Sequence, residues 1–290
     1  MAAALPRAEV IFNLAGEISH IHSVLYPERD LDLNARAQLR FVEHVKRQAP
    51  RARIVYASSR QVYGPPDCLP VDERHPVRPV DVNGVHKLAA ELYHRLASTL
   101  NGQETVCLRI TNIYGPRQAL NLPWQGFIGT FVARVLAGHA LTVYGDGRQL
   151  RDMLYVDDAV RAFLAAGSAP LPADTPHTTL NVGGPEPLAL LRIAEILAGA
   201  GGLQPPDGPP VRLVPFPSDR KKIDIGSFTT DDRRFRAWSG WRPEVGFADG
   251  AARTLVFYRQ HAGHYPLTDP AGRPEDDPRR VPGRLAEKAS

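Results

Sequence analysis

The amino-acid sequence predicts an α/β protein built around a parallel sheet with helices on both faces. Its 290 residues are 43% hydrophobic and 23% charged, an ordinary globular composition for one large domain or a core domain with a lobe. Short apolar runs rich in β-branched residues alternate with segments of helical periodicity. The connections between the runs are too long for hairpins, which is typical of parallel strands joined by crossover helices.

The first half of the chain supplies the elements of this sheet. The predicted strands are Val10–Leu14, Arg53–Ala57 and Thr105–Ile110, and the predicted helices run from Asp32 to Lys46 and from Asn83 to Leu100. Ala15 and Gly16 end the first strand, and Ser58 and Ser59 follow the second.

After residue 115 the pattern changes to short strands, short helices and proline-containing turns. Residues 1–115 are therefore interpreted as a core domain and residues 116–265 mainly as a lobe that returns to the core. Residues 266–290 are dominated by proline and charge, so we expect a disordered tail.

Composition argues against several classes of protein. The net charge of +4 comes without a block of like charges, so no nucleic-acid partner is expected. No stretch approaches the roughly 18 apolar residues that span a bilayer, so no membrane association is expected. The cysteines, Cys68 and Cys107, give no disulfide framework and fit a cytoplasmic protein. No spacing of histidines predicts a metal site.

Several short motifs occur along the chain. They are N-L-A-G at 13–16, S-S-R-Q-V-Y-G at 58–64, N-I-Y-G-P-R at 112–117, Y-G-D-G-R-Q-L-R-D at 144–152 and Y-V-D-D at 155–158. Together and in this order, they resemble the extended short-chain dehydrogenases that act on nucleotide sugars, namely 4-epimerases, 4,6-dehydratases and UDP-glucuronate decarboxylases. The resemblance implies a doubly wound, Rossmann-type sheet, NAD as cofactor and transient oxidation of a UDP- or dTDP-sugar at C4.

The resemblance also implies binding residues. Cofactor contacts are expected at Ala15, Gly16, Asn34, Ser58 and Lys87, in a partial dinucleotide-binding domain formed by residues 1–115. Substrate contacts are expected at Asn112, Arg117, Arg148, Arg151 and Lys221. A guanidinium fork suits a diphosphate, but Arg151 could instead pair with Asp152 or Asp157. Likewise, Asn112 could cap a turn and Lys221 could belong to a solvated basic loop.

The first departure from the family's pattern is at the front of the chain. The glycine-rich turn that holds a dinucleotide pyrophosphate, and the acidic residue that meets the ribose, are both missing. By alignment with the family, Val10–Leu14 corresponds to the fourth strand, so we expect an N-terminally truncated, partial sheet with a bare edge. Weak or absent NAD binding is expected for this chain alone, and a homodimer or partner chain could complete the sheet.

The second departure is in the catalytic helix. The family's base is the tyrosine of Tyr-x-x-x-Lys, but here Asn83 precedes Lys87 in that spacing, and an amide cannot take a proton at neutral pH. Ser59 stands where the family has its catalytic Ser or Thr. His86 is a titratable neighbour on the same helix, although a packing histidine is an alternative. Ser59, Asn83, His86 and Lys87 form the predicted catalytic group. Separately, Arg60 and Gln61 stand where the dehydratases have an Asp-Glu pair.

Two hypotheses follow. The first is a nucleotide-sugar epimerase- or dehydratase-type oxidoreductase or isomerase that oxidises its substrate at C4 through NAD. The alternative is a catalytically impaired relative that binds a nucleotide sugar or a partner protein without turnover. The substrate-side motifs favour the first hypothesis, and Asn83 favours the second.

Overall fold

A computed structural model describes residues 5–122, 126–172, 174–216 and 224–265. The strands are Val10–Asn13 (β1), Arg53–Ser59 (β2), Thr105–Ile110 (β3), Asn112–Tyr114 (β4), Leu141–Tyr144 (β5), Leu150–Tyr155 (β6), His177–Val182 (β7), Pro187–Ala189 (β8) and Val211–Val214 (β9). The helices are His20–Leu25 (α1), Pro27–Leu31 (α2), Ala37–Gln48 (α3), Val82–Asn101 (α4), Phe127–Leu136 (α5), Val156–Ser168 (α6), Leu190–Gly201 (α7), Arg233–Ser239 (α8) and Phe247–Gln260 (α9). A π-helical segment spans Asp32–Arg36, and short 3-10 helices lie at Leu5–Arg7, Arg60–Tyr63 and Ala262–His264. Lys221 and the predicted tail lie outside the described residues.

The main sheet is parallel and has the strand order β1-β2-β3-β7. Its register aligns Ser59 with Ile110 and Ile110 with Val182, so the strands end at one common edge. Alternate residues of β2 face opposite helices, since Tyr56 packs with Ala90 of α4 and Val55 packs with residues of α6. The predicted parallel α/β fold with helices on both faces is confirmed.

The strand β1 lies at one edge of this sheet and pairs with β2 alone among the described strands. Phe12 packs edge-on against Phe163 of α6 but remains 39% exposed, and Leu14 is 60% exposed. The sheet is therefore partial at this edge, as the sequence predicts.

The second half of the chain forms two small sheets, β4-β6-β8 and β5-β9, and a separate apolar core in which α5, α7 and α9 pack. The chain returns to the main sheet at β7. The sequence predicts a helix over Leu188–Leu197, but Leu188 instead pairs with Arg151 in the antiparallel ladder of β6 and β8, and α7 begins at Leu190. In the described part of the chain, no helix has both the length and the apolar character that crossing a membrane requires.

Candidate active site

The side chain of Asn34, in the π-helical segment, holds the loop after β1 through two hydrogen bonds. The Asn34 Oδ1 accepts from the Glu17 amide at 3.0 Å, and Nδ2 donates to the Glu17 carbonyl at 3.1 Å. Asn34 is fully buried, whereas Ala15 and Gly16 are exposed above it. The structure therefore gives the Asn34 side chain a positioning role, because its amide is committed to the loop.

Gly16 lies against Lys87, and a side chain at Gly16 would force the Asn34 or Lys87 side chain to shift. A Cβ built there would lie 2.6 Å from Asn34 Oδ1 and 2.9 Å from Lys87 Nζ. Lys87 Nζ donates to the Ala57 carbonyl at 3.2 Å, and burial lowers the Lys87 pKa to about 8. Gly16 after β1 and Lys87 of α4, both predicted cofactor residues, thus lie side by side at the carbonyl of Ala57 in β2.

The two serines that end β2 differ in their partners. Ser58 is buried, and its hydroxyl donates to Glu91, which also pairs with Arg109 at 2.7 Å. Ser59 is half-buried, and its Oγ accepts from the Gln61 amide at 3.2 Å, which caps the 3-10 helix after β2. Because this bond uses the Ser59 oxygen as an acceptor, the hydroxyl proton remains available to a ligand.

Asn83 and His86 share one buried carboxylate, Asp30 on α2. The Asn83 Nδ2 donates to Asp30 Oδ2 and to the Glu17 carbonyl, both at 2.9 Å, while His86 Nδ1 lies 2.7 Å from Asp30 Oδ1. When Nδ1 carries the proton in this contact, His86 Nε2 is the basic nitrogen. We call Ser59, Asn83, His86 and Lys87, the predicted catalytic group, the catalytic cluster. Asp30 contacts two members of the catalytic cluster, and no sequence motif indicated Asp30.

A second histidine–carboxylate pair contacts Gln61, whose backbone amide donates to Ser59. His20 Nδ1 is 2.5 Å from Asp81 Oδ2, and the ring contacts the side-chain amide of Gln61. Asp81 begins α4, where its other oxygen accepts from the Gly84 amide at 2.7 Å. The sequence pattern predicts that this helix starts at Asn83 and does not single out Asp81, although an aspartate two residues before a helical pattern is an ordinary capping signal.

Three polar side chains lie near one another, one from the 3-10 helix after β2, one from β4 and one from β6. The Arg60 Nη2 donates to Asn112 Oδ1 at 3.3 Å, and Arg151 is close enough to lower the Arg60 pKa, which burial and this like charge bring to about 9. Arg151 Nη2 lies 3.5 Å from Asp224 Oδ1, and Nη1 donates to the Leu150 carbonyl at 2.8 Å. We call Arg60, Asn112 and Arg151 the arginine cluster.

The alternatives for Arg151 are resolved in part. Among the described residues its ion-pair partner is Asp224, and neither Asp152 nor Asp157 forms an ion pair with it. The Arg151 side chain is 11% exposed, and burial lowers its pKa. Asn112 also donates to the Asp152 carbonyl at 3.4 Å, so its amide both braces β6 and faces Arg60.

Two predicted substrate residues do not join the arginine cluster. Arg148 lies in an exposed turn with 89% of its side chain accessible, and its nearest carboxylate is Asp146 at 3.8 Å. Arg117 is exposed, and its guanidinium lies over the Phe257 ring of α9 at 5.5 Å, beside a surface cavity that His264 also lines. Arg117 and Arg148 have motif spacings like those of binding residues, but spacing does not specify which way a turn points.

Other titratable residues are structural. His94 stacks on Tyr56 with ring centroids 4.5 Å apart, and burial lowers the His94 pKa to about 4. His75 Nε2 accepts from the Asp67 amide at 2.8 Å. In the described ranges, no group of three His, Cys, Asp or Glu side chains is placed to hold a metal ion.

The parallel sheet, the glycine at the end of β1 and the buried lysine one helical turn from Asn83 define a protein of the short-chain dehydrogenase class. The family model described as "NAD dependent epimerase/dehydratase family" matches residues 1–183. The chain belongs to this family.

Curated relatives and solved structures agree with this membership. The chain is 33% identical over 256 residues to UDP-glucose 4-epimerase of Mycolicibacterium smegmatis, covering 87% of this chain and 77% of the relative. It is 33% identical over 207 residues to dTDP-glucose 4,6-dehydratase of an Actinoplanes species, covering 71% of this chain and 60% of the relative. The crystal structure of a Thermotoga maritima UDP-glucose 4-epimerase with UDP-glucose is similar at a TM-score of 0.78 and 27% identity, over 88% of this chain and 79% of that one. The structure of MoeE5 with UDP-glucuronic acid and NAD is similar at 0.78 and 27% identity, over 90% of this chain and 82% of that one.

Proposed function

We propose that this protein acts on a nucleotide sugar through transient oxidation at C4, as an epimerase- or dehydratase-type enzyme. The observation that supports this most directly is the placement of two polar groups at the strand ends. The catalytic cluster adjoins exposed Gly16. The arginine cluster lies next to it, because its member Arg60 is the residue directly after Ser59. A sugar held near Ser59 would therefore have its charged diphosphate within reach of arginine.

NAD fits the nicotinamide side of this site. Exposed Ala15 and Gly16, with Lys87 Nζ directly beside Gly16, form a surface that a Cβ would fill, and these residues with Ser59 would hold the cofactor's reactive end. When bound, NAD supplies a hydride acceptor for the sugar carbon. The sequence has no glycine-rich turn for the pyrophosphate, so we propose that this chain alone binds NAD weakly. Calorimetric titration of the 290-residue chain checks this, and micromolar affinity would contradict it.

A base for the substrate hydroxyl is required, and Asn83 cannot serve. His86 is the candidate within the catalytic cluster because Asp30 orients its ring and leaves Nε2 as the basic nitrogen. Ser59 would donate to the developing oxygen, and the positive charge of Lys87 would stabilise that oxygen electrostatically. In this proposal the chain's own residues hold the proton at His86 Nε2 and orient the C4 hydroxyl.

One observation favours the alternative, a nucleotide-sugar binder without turnover. Both donor positions of the Asn83 amide are occupied, by Asp30 and the Glu17 carbonyl, so the residue that replaces the family's tyrosine closes a structural network. The test uses UDP-glucose, UDP-glucuronate and dTDP-glucose with saturating NAD. NADH absorbance in a single turnover supports the enzyme; ligand binding by calorimetry without NADH supports the alternative. Binding of none of the sugars would reject both.

We also propose that the β1 edge is covered by a second chain, either a copy of this one or a partner. Unpaired strand edges with exposed apolar side chains such as Phe12 and Leu14 favour association. Light scattering after size exclusion tests this, because a monomer at all concentrations would contradict it. We place the protein in the cytoplasm, since Cys68 and Cys107 are both free thiols.

A further inference from the structure

Two histidine–carboxylate pairs join the segment after β1 to the start of α4. His86 on α4 contacts Asp30 at 2.7 Å, and His20 on α1 contacts Asp81, the residue that caps α4, at 2.5 Å. The segment after β1 therefore supplies the carboxylate of the first pair and the histidine of the second. The His86–Asp30 pair is part of the proposed mechanism, whereas that mechanism gives the His20–Asp81 pair no role.

The contact with Asp81 makes Nε2 the basic nitrogen of the His20 ring. Asp81 is buried, and its second oxygen accepts from the Gly84 amide at 2.7 Å, which fixes the carboxylate. Burial acts to raise the Asp81 pKa, but the bond from His20, with the Gly84 amide and the charge of Arg60, brings this pKa below its usual value. An ionised carboxylate only accepts, so His20 Nδ1 donates to it. A carboxylate that fixes the tautomer in this way prepares a histidine to take a proton at Nε2.

The Nε2 atom of His20 lies next to the place proposed for the sugar. It accepts from the side-chain amide of Gln61, whose backbone N–H donates to Ser59 Oγ at 3.2 Å. The other polar atom of that side chain, Gln61 Oε1, is buried without a hydrogen-bond partner in the described part of the chain. Because an unpaired buried oxygen is unfavourable, the arrangement favours a ligand that contacts both groups. The His20 side chain is 36% exposed, so a ligand can replace the Gln61 amide at Nε2.

We propose that His20 is a second base, which removes a proton from a carbon next to C4 once C4 has become a ketone. This inference rests on the proposed function. The C–H bond breaks and its proton passes to His20 Nε2, while its electron pair forms the carbon–carbon double bond of an enolate and the former carbonyl pair moves to the C4 oxygen near Ser59. Return of the proton to either face completes the step, so no oxidant or reductant is consumed. Inversion at C4 alone does not use this group, so the proposal assigns the protein a reaction that also changes a neighbouring carbon.

A nucleotide sugar supplied already as the 4-ketone isolates this step, because it needs neither NAD nor oxidation at C4. The probes are UDP- and dTDP-linked 4-keto-6-deoxyglucose in D₂O with the full chain, and mass spectrometry follows the deuterium that enters the recovered sugar. For a ketone that binds, we expect exchange at least about 10²-fold faster than in buffer. Exchange no faster than in buffer, with binding shown by calorimetry, would overturn the inference and leave the proposed function intact. Failure of both ketones to bind a chain that binds the parent sugars would overturn it too. If the chain binds neither the ketones nor the parent sugars, the proposed function fails and the inference fails with it.

The variant His20→Asn sharpens this test, because its amide can still donate to Asp81 but cannot take a proton. Exchange should fall by about 10²-fold or more in this variant while the ketone still binds. Asp81→Asn keeps a good helix cap but removes the charge that fixes the ring, so exchange should fall to an intermediate rate. His261→Gln, at an exposed position after α9, is the matched control, and thermal denaturation confirms folding of each variant. Fast exchange that survives His20→Asn would assign the proton transfer to another group and reject the proposal.

Discussion

The catalytic cluster and the arginine cluster lie at the same edge of the sheet but satisfy their polar groups differently. In the catalytic cluster, Asn83 and His86 meet at Asp30, and Lys87 donates to a backbone carbonyl. In the arginine cluster, Arg60 keeps a buried N–H without a partner among the described residues. The polar groups of the first cluster named here have partners within the protein, whereas the second cluster leaves one N–H without a partner among the described residues. The comparison shows that the protein itself orients the side chains of the catalytic cluster, whereas it leaves a polar group of the arginine cluster unsatisfied.

The largest expected effect comes from a substitution at Asn83, in the catalytic cluster. If the native protein lacks an effective base, Asn83→Tyr, which places a phenol one turn before Lys87, should raise NADH formation by about 10²–10⁴-fold with saturating NAD; if His86 is already the base, the rate should change little. Asn83→Phe is the matched control, since it adds the ring without the hydroxyl. Single-turnover absorbance measures both. Equal rates for the two variants would show that this helix is not aligned with the catalytic one.

The same measurement with His86→Ala separates the two proposed functions. If His86 is the base, the native protein already forms NADH and His86→Ala abolishes this rate. A fast native rate that survives His86→Ala would remove His86 from the mechanism.

The second effect concerns the free energy of unfolding that is lost by burying the charge of Lys87. Burial lowers its pKa from 10.5 to about 8, so the folded protein binds fewer protons than the unfolded chain between these values. The cost is fully present below about pH 8 and is relieved as the pH rises toward 10.5. Lys87→Met should therefore raise the free energy of unfolding at pH 7 by a few kcal/mol, roughly 1.4 per pKa unit.

Urea denaturation at pH 7 and pH 10 checks this prediction. The difference between Lys87→Met and the native protein should shrink at the higher pH. Lys46→Met is the control, because Lys46 is exposed on α3 and its change should not depend on pH. A pH-independent difference at Lys87 would show that packing, not charge, explains it.

A smaller effect is expected from a substitution in the arginine cluster, at Arg151. Arg151→Ala should weaken binding of a UDP- or dTDP-sugar at least about tenfold, because a charge-assisted contact contributes ~1.5–3 kcal/mol. Calorimetry with UDP-glucose and dTDP-glucose measures the change. Unaltered affinity in a folded variant would assign Arg151 to the contact with Asp224 alone.

The smallest expected effect is at Arg148. Its side chain is exposed and lies away from the arginine cluster, so Arg148→Ala should change the same affinity by less than about twofold, as is usual for a surface charge. A tenfold loss would mean that the turn at Gly145 and Gly147 reorients when the ligand binds. That outcome would weaken the contrast between the two clusters.

The sequence predicted the regular elements of the fold more reliably than the contacts of the site. Strand β3 has the predicted bounds, Thr105–Ile110, because β-branched apolar runs specify a buried strand locally. The predicted helix from Asp32 is instead a π-helical segment followed by α3, and β8 replaced the predicted start of a helix at Leu188. Both differences arise from packing partners that are distant in sequence, which propensity does not include.

By itself, the sequence determined the parallel α/β class, the order of motifs and the spacing of Asn83 and Lys87, because periodicity and residue identity are local properties. Only the tertiary structure decided that Asp30 joins Asn83 to His86, and that Arg60 and Arg151 converge while Arg117 and Arg148 point elsewhere. The physical reason is that hydrogen bonds and ion pairs depend on distance in space. Asp30 and His86 are separated by 56 positions in the chain but by 2.7 Å in the fold.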